Sequence, residues 1–154
     1  TLGRRCEQSR PLLLSGLDGE GARRVGGRWN APGTPVVNAA EALSLCVLEA
    51  LVHTDPDLLP GDLTAFTIEV PRSDYEAARA QSERAPLPEG WARGTALSRR
   101  IGQDWAESGS LLLVVPSVIV PSERCVLINP RHRGMESVRV AGSTPFAFDE
   151  RLLR

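Results

Sequence analysis

Residues 19–30 read Gly19-Glu20-Gly21-Ala22-Arg23-Arg24-Val25-Gly26-Gly27-Arg28-Trp29-Asn30. Glycine has no Cβ, so the pair at 26–27 lets backbone N–H groups approach a ligand closely. The guanidinium of Arg28 can donate two parallel hydrogen bonds to a phosphate. The indole of Trp29 offers a flat face for stacking. This stretch therefore predicts a loop that holds a nucleotide.

Length and composition limit the class of protein. The chain has 154 residues, 42% of them hydrophobic, which predicts one globular domain over residues 1–154. A net charge of −1 gives no general attraction to nucleic acid or membrane surfaces. All 18 basic residues are arginine, which excludes a Schiff-base lysine and a P-loop lysine. No signal-peptide pattern opens the chain and no apolar run reaches about 18 residues, so we expect no membrane span.

The cysteines and histidines do not predict a metal site. Cys46 and Cys125 lie in apolar patterns typical of buried thiols, and Cys6 is far from both in sequence. Neither His53 nor His132 has metal-ligand spacing to a cysteine. We therefore expect reduced thiols, no bound metal and a cytoplasmic location.

Periodicity and turn residues predict an α+β protein. Helices are expected at residues 41–53, 75–81 and 95–107, and strands at residues 34–39, 63–70, 110–115, 123–128 and 137–140. A loop is expected at 84–94 and a short C-terminal element at 146–152. The apolar β-formers at 110–115 are typical of a buried central strand. Because strands crowd into the second half of the chain, an α+β arrangement is favoured over a wound α/β sheet.

Three polar residues are candidates for chemistry, each with a plain structural alternative. Arg28 is either a surface arginine in a turn or a phosphate ligand. Glu49 lies in the apolar patch 45–52, where a carboxylate is costly to bury unless paired or solvated in a cleft. It either faces water or, beside Arg28, binds ribose hydroxyls or stabilises a developing cation. Ser117 is either a turn residue or a hydroxyl presented at a strand end.

Taken in order, these pieces resemble the RES domain, the toxin half of a bacterial toxin–antitoxin pair, which is named after an arginine, a glutamate and a serine. The matching stretches are residues 19–30, 32–37, 48–53, 110–117, 127–132 and 145–152. Each motif alone is weak evidence, whereas the ordered set covers nearly the whole chain.

The resemblance implies an ADP-ribosyltransferase-like fold, with central mixed or antiparallel sheets flanked by helices. It implies that NAD+ is a substrate, not a cofactor, and that the nicotinamide–ribose bond is cleaved by hydrolysis or phosphorolysis, causing growth arrest. Arg28 would hold the pyrophosphate or the nicotinamide end. Glu49 would bind ribose hydroxyls or stabilise an oxocarbenium-like transition state, and Ser117 would position the nicotinamide ribose. The remaining substrate contacts would come from Gly27, Trp29, Asn30 and Asn38.

The resemblance also implies partners and leaves alternatives open. The partner would be a helix-turn-helix antitoxin, the toxin would form a homodimer, and DNA contact would come from the antitoxin. Other readings are ADP-ribosyl transfer to an acceptor, or a catalytically weakened chain that keeps antitoxin binding. The latter is motivated by Asn38 and Val25, which stand where the family usually has tyrosines.

Overall fold

The computed structural model describes residues 6–7, 17–53 and 63–153. The α-helices are α1 (Glu20–Val25), α2 (Leu43–His53), α3 (Arg72–Arg84) and α4 (Ala96–Ser108). The strands are β1 (Cys6–Glu7), β2 (Val37–Ala40), β3 (Leu63–Val70), β4 (Leu112–Pro116), β5 (Arg124–Ile128) and β6 (Arg139–Phe146). Short 3₁₀ helices cover Arg133–Ser137 and Glu150–Leu153. None of the described helices has the length and apolarity that a bilayer crossing requires.

The strands form two three-stranded sheets in which every described pairing is antiparallel. In the first sheet β3 lies between β1 and β6, and in the second sheet β5 lies between β2 and β4. Helix α3 packs on β4, and α2 packs on β2. The predicted α+β class, with antiparallel sheets and packed helices, is confirmed.

One face of the second sheet builds the main core. Side chains alternate between the two faces of a strand, so Val37 of β2 and Ile128 of β5, which are paired, point to the same side. Both are fully buried in a cluster that also contains Ile68 of β3 and Tyr75 of α3. The two sheets therefore share one apolar core.

The opposite face of the second sheet carries the site. Asn38 of β2 and Leu113 of β4 both lie opposite Leu127 of β5, so these three residues share that face. Leu127 packs in a second apolar cluster together with Trp29 and Trp105. Period-two alternation thus separates a core face from a site face within the same three short strands.

The prediction of a central strand at residues 110–115 is wrong in one respect. Strand β4 is there, but among the described residues it lies at the edge of its sheet, and β5 is central. The run is apolar because both of its faces are covered. Leu112 and Val114 pack in the main core, whereas Val115 packs in the second cluster. A continuous run of apolar residues therefore indicates that both faces of the strand are buried, but it does not indicate the position of the strand in the sheet.

Other predicted elements exist with shifted ends. Strand β2 begins at Val37 and not at residue 34, and the Thr34 hydroxyl instead donates to Gln103 of α4 at 2.8 Å. Helix α3 extends beyond the predicted residues 75–81 at both ends. Strand β6 runs past the predicted 137–140 because it pairs along the length of β3. Its side chains are nearly all exposed, so no alternating apolar pattern marked its length.

Candidate active site

A cavity of about 530 Å³ lies against the site face of the second sheet. Its walls come from the loop after α1, from β2 and β5, from α2, from the residues after β4, and from Phe148 near the C-terminus. Six of the seven predicted site residues line it, namely Gly27, Arg28, Trp29, Asn38, Glu49 and Ser117. The fold thus brings together side chains from four separate parts of the sequence.

Glu49 and Ser117 are directly hydrogen-bonded. The Ser117 hydroxyl donates to Glu49 Oε1 at 2.8 Å. The Glu49 side chain is 28% exposed, which places the carboxylate neither in bulk water nor in the closed core. A carboxylate in an apolar patch is costly unless it is paired or partly solvated, and the Glu49 carboxylate is both.

Ser117 is both a turn residue and a partner of the carboxylate. Its Oγ accepts hydrogen bonds from the backbone N–H groups of Ile119 at 3.0 Å and Val120 at 3.1 Å. Its own N–H donates to the carbonyl of Glu123 at 3.0 Å. With two donors already on Oγ, the hydroxyl proton is the one that points to Glu49. The two sequence interpretations of Ser117 are therefore compatible.

The loop from Gly26 to Asn30 presents Arg28 to the cavity. Gly26 ends α1 with a φ of 72°, a left-handed conformation that favours glycine. Nη1 of Arg28 donates to the carbonyl of Gly94 at 2.6 Å and, more weakly, to that of Ala92 at 3.4 Å. These carbonyls orient the guanidinium through one nitrogen, which leaves the rest of the planar fork to meet an anion.

Asn30 has a different position from the one predicted. It is 1% exposed and does not line the cavity. Its side-chain amide donates to the carbonyls of Ala22 at 2.8 Å and Thr34 at 2.9 Å. Its own carbonyl accepts from the N–H of Gly27 at 2.9 Å. Asn30 therefore closes the loop from behind and fixes the backbone of the residues that line the cavity.

Trp29 lines the cavity with one ring face already covered. It is buried, and its ring stacks on Trp91 with the centroids 5.5 Å apart and the planes 28° apart. Trp91 belongs to the same segment that supplies the carbonyls for Arg28. Residues 85–95 thus support both Arg28 and Trp29 of the loop from Gly26 to Asn30, which we call the site loop.

Helix α4 supports the loop from the other side. Arg99 donates from Nε to the carbonyl of Gly27 at 2.8 Å. Gly102 lies so close to the loop that a Cβ there would be 1.8 Å from the carbonyl oxygen of Trp29. Only glycine fits at this contact, so the sequence of α4 brings the helix backbone directly onto the loop.

The two arginines inside the opening stretch do not face the cavity. Both Arg23 and Arg24 donate to the carboxylate of Glu20 on the exposed side of α1. Their hydrogen bonds lower the pKa of Glu20 to about 2. Of the three arginines in residues 19–30, Arg28 is the one that lines the cavity.

Among the lining residues that the sequence did not predict, three bring an imidazole, an aromatic ring and a thiol to the site. His53 is one helical turn after Glu49, with Nε2 3.8 Å from Oε2, and its i,i+4 spacing was the available signal. Phe148 enters from the C-terminal segment and packs edge-on against Phe146. Cys125 donates from Sγ to Glu49 Oε1 at 3.5 Å. Phe148 lies in the matching stretch 145–152, which was the available signal, whereas no sequence spacing links Cys125 to the site.

The two positions that depart from the expected tyrosines both line the cavity. Asn38 is exposed there, and Val25 is 77% exposed at the end of α1. Neither supplies an aromatic face. No group of three metal-ligating side chains comes together within residues 6–7, 17–53 and 63–153.

Comparisons with known proteins identify relatives of the chain. The family model described as the RES domain matches residues 4–149. The chain is 38% identical over 141 residues to the Prs ADP-ribosylating toxin of Sphingobium sp., covering 90% of this chain and 87% of that protein. It is 36% identical over 147 residues to Toxin Res of Yersinia enterocolitica, covering 93% and 94% respectively.

A solved structure shows the same fold. A chain in the crystal structure of the M. tuberculosis MbcT–MbcA toxin–antitoxin complex aligns with a TM-score of 0.59 and 18% identity, covering 92% of this chain and 86% of that chain. The fold, the ordered motifs and the relatives lead to one conclusion: the chain belongs to the RES domain family.

Proposed function

We propose that this chain is the toxin of a toxin–antitoxin pair and that it arrests growth by cleaving the nicotinamide–ribose bond of NAD+. The observation that carries the proposal is the convergence of Arg28, Glu49 and Ser117 on one cavity of about 530 Å³. Sites for small molecules typically measure about 300–1,000 Å³ and hold a few convergent polar groups. The relatives named as toxins support the biological role.

The chemistry needs a negative charge near one carbon atom. When the bond from ribose C1′ to the pyridinium nitrogen breaks, its electron pair goes to nitrogen, and nicotinamide leaves as a neutral molecule. Positive charge then develops on the ribose, where the fixed carboxylate of Glu49 stabilises it. An oxygen of water or of phosphate forms the new bond to C1′, and a water nucleophile releases its proton to solvent. Arg28 holds the pyrophosphate, so that the ribose stays beside the carboxylate.

The test is the loss of NAD+ in the presence of the purified chain, with phosphate present and absent. Free ADP-ribose indicates hydrolysis, and its phosphate ester indicates phosphorolysis. Glu49→Gln keeps the shape and removes the charge, so we expect kcat to fall about 10²–10³-fold with NAD+ still bound. Glu76→Gln on the exposed side of α3 is the matched control and should keep full activity. Unchanged turnover in both Glu49→Gln and Arg28→Ala would overturn the site assignment.

A second candidate function is transfer of ADP-ribose to a protein. It is favoured by the relative named Prs ADP-ribosylating toxin, which is 38% identical over most of this chain. The bond broken in NAD+ is the same, and the nucleophile is an acceptor side chain. NAD+ labelled in its ADP-ribose half separates the two activities. Label on a macromolecule supports transfer, whereas label in free ADP-ribose or its phosphate supports degradation.

The proposal includes a partner. We propose a helix-turn-helix antitoxin that neutralises the chain in the cytoplasm, and a toxin homodimer within their complex. The solved neighbour comes from a toxin–antitoxin complex, which supports an antitoxin partner. Co-expression of the chain with the protein encoded beside it, followed by mass measurement of the purified complex, tests both the partner and the dimer.

A further inference from the structure

One oxygen of the Glu49 carboxylate receives two side-chain donors. The Ser117 hydroxyl lies 2.8 Å from Oε1, and the thiol sulfur of Cys125 lies 3.5 Å from the same atom. A thiol is a weak donor with a large sulfur atom, and 3.5 Å is an ordinary length for such a bond. The second oxygen, Oε2, lies 3.8 Å from Nε2 of His53, which also lines the cavity.

We infer that Cys125 is a positioning residue for Glu49. Its S–H group and the Ser117 O–H group together fix Oε1, so that Oε2 is the oxygen presented to the substrate. The inference rests on the proposed function, because it assumes that Glu49 is the carboxylate that acts on the ribose. Cys125 itself touches no reacting atom in this account.

The position of Cys125 is fixed by the sheet. It lies in β5, the central strand, where its backbone is paired with Ala40 of β2 on one side and Val115 of β4 on the other. Its side chain packs against Leu45 and Ala40 beneath α2. A donor on a central strand has little freedom to move, so it can hold a carboxylate on the facing helix at a constant distance.

The thiol keeps its proton under physiological conditions. Burial, and then the nearby charge of Glu49, raise the pKa of Cys125 far above its ordinary value. A thiol that stays protonated donates a hydrogen bond but is a poor nucleophile, because thiolate is the reactive form. The surroundings of Cys125 therefore suit a donor and do not suit a covalent catalyst.

The first experiment compares Cys125→Val with Cys125→Ser in steady-state NAD+ cleavage. Valine is somewhat larger than cysteine and has no donor, whereas serine is somewhat smaller and keeps a donor. Because a net hydrogen bond contributes about 0.5–1.5 kcal/mol, we expect Cys125→Val to lower kcat about two- to tenfold, with little change in KM. Cys125→Ser should recover most of the lost kcat. A Cys125→Val enzyme with wild-type kcat, or a Cys125→Ser enzyme as slow as Cys125→Val, would overturn the inference.

The second experiment does not depend on catalysis. The S–H stretching band of Cys125 is assigned in the infrared spectrum of the full chain by its loss in Cys125→Val. Hydrogen bonding to a carboxylate lowers the frequency of this band, so Glu49→Ala should raise it. Glu83→Ala, which removes a surface carboxylate of α3, should leave the band in place.

The two experiments keep the inference separate from the proposed function. If the wild-type chain leaves NAD+ intact, the proposed function fails, and the infrared shift still decides whether Cys125 donates to Glu49. If NAD+ is cleaved but the band stays unmoved in Glu49→Ala, the positioning role fails and the function stands. Thermal unfolding of each variant shows whether it is folded at the assay temperature.

Discussion

At the scale of single residues, Asn38 is the position at which the proposed binding of NAD+ is most directly tested. It is exposed on the site face of β2, lines the cavity, and lies beside Leu127 in the sheet. An aromatic ring at position 38 would extend from the paired strand β2 into the cavity. The amide keeps a polar contact but gives a bound base or nicotinamide no flat surface.

We predict that Asn38→Tyr binds NAD+ more tightly. Stacking one base on an aromatic side chain contributes about 1–3 kcal/mol, so the Kd should fall about five- to 150-fold. Calorimetry with NAD+ measures this directly, and Asn38→Ala, which removes the amide without adding a ring, should not gain affinity. An Asn38→Tyr protein that binds no better than the parent would show that the position is outside the substrate path. Turnover seen only with Asn38→Tyr would identify the parent chain as catalytically weakened.

Residue types predicted the cavity better than they predicted individual contacts. Arg28, Glu49 and Ser117 each have an ordinary structural alternative in the sequence, and their order, which resembles that of the RES domain, singles them out; all three line the cavity. Asn30 was assigned to the substrate because an amide beside a glycine loop has the same sequence signature whether it binds a ligand or backbone carbonyls. Cys125 was missed because its partner is far away in sequence.

At the scale of elements, helix α4 decides the shape of the site loop. The close approach at Gly102 and the bond from Arg99 to the carbonyl of Gly27 act on two neighbouring parts of that loop. Neither residue lines the cavity. The loop is therefore held by residues of α4 that do not line the cavity.

We predict that Gly102→Ala lowers both stability and affinity for NAD+. The new methyl group would overlap the carbonyl oxygen of Trp29, and overpacking of this kind costs about 1–3 kcal/mol. Moving α4 away from the loop should also displace Arg28. Urea unfolding and NAD+ titration measure the two effects.

Gly21→Ala in α1 is the matched control. Apart from its chain neighbours and the backbone of α1, no atom lies within 4 Å of a Cβ added there, and alanine in a helix is favoured over glycine by about 0.5–1 kcal/mol. This variant should be as stable as the parent or slightly more so. If Gly102→Ala behaved in the same way, the helix contact would have no part in holding the loop.

The elements themselves were largely predictable, and their arrangement was not. Residues 63–70 form β3 as predicted, because alternating apolar residues report a half-buried strand directly. Strand order depends on pairing between distant segments, which a run of apolar residues does not encode. The sequence therefore predicts β4 as the central strand, whereas β5 is central in the structure. The contact of α4 with the site loop is likewise a long-range feature.

At the scale of the whole molecule, the two sheets share one core while the tryptophans lie elsewhere. Ile68 of β3 and Val126 of β5 belong to the main core. Trp29 and Trp105 are in the second cluster, and Trp91 packs against it. Indole fluorescence therefore reports the site side of the molecule, and far-ultraviolet circular dichroism reports all helices and strands together.

We predict that the two signals change together during urea unfolding. A single domain over residues 1–154 should unfold in one cooperative transition with the same midpoint by both probes. The two sheets meet in one core, so neither is expected to unfold alone. A fluorescence transition at distinctly lower urea would show that the site side opens first, and would contradict the single-domain prediction.

The stacked pair of Trp29 and Trp91 has an optical consequence. With their centroids 5.5 Å apart, the excited states of the two rings are coupled, which produces a paired positive and negative band in circular dichroism. One ring belongs to the loop that carries Arg28, and the other belongs to the segment whose carbonyls orient it. Any ligand that separates these two segments must weaken the paired band, so the chain carries an intrinsic, label-free signal of whether the loop of Arg28 stays in contact with residues 85–95.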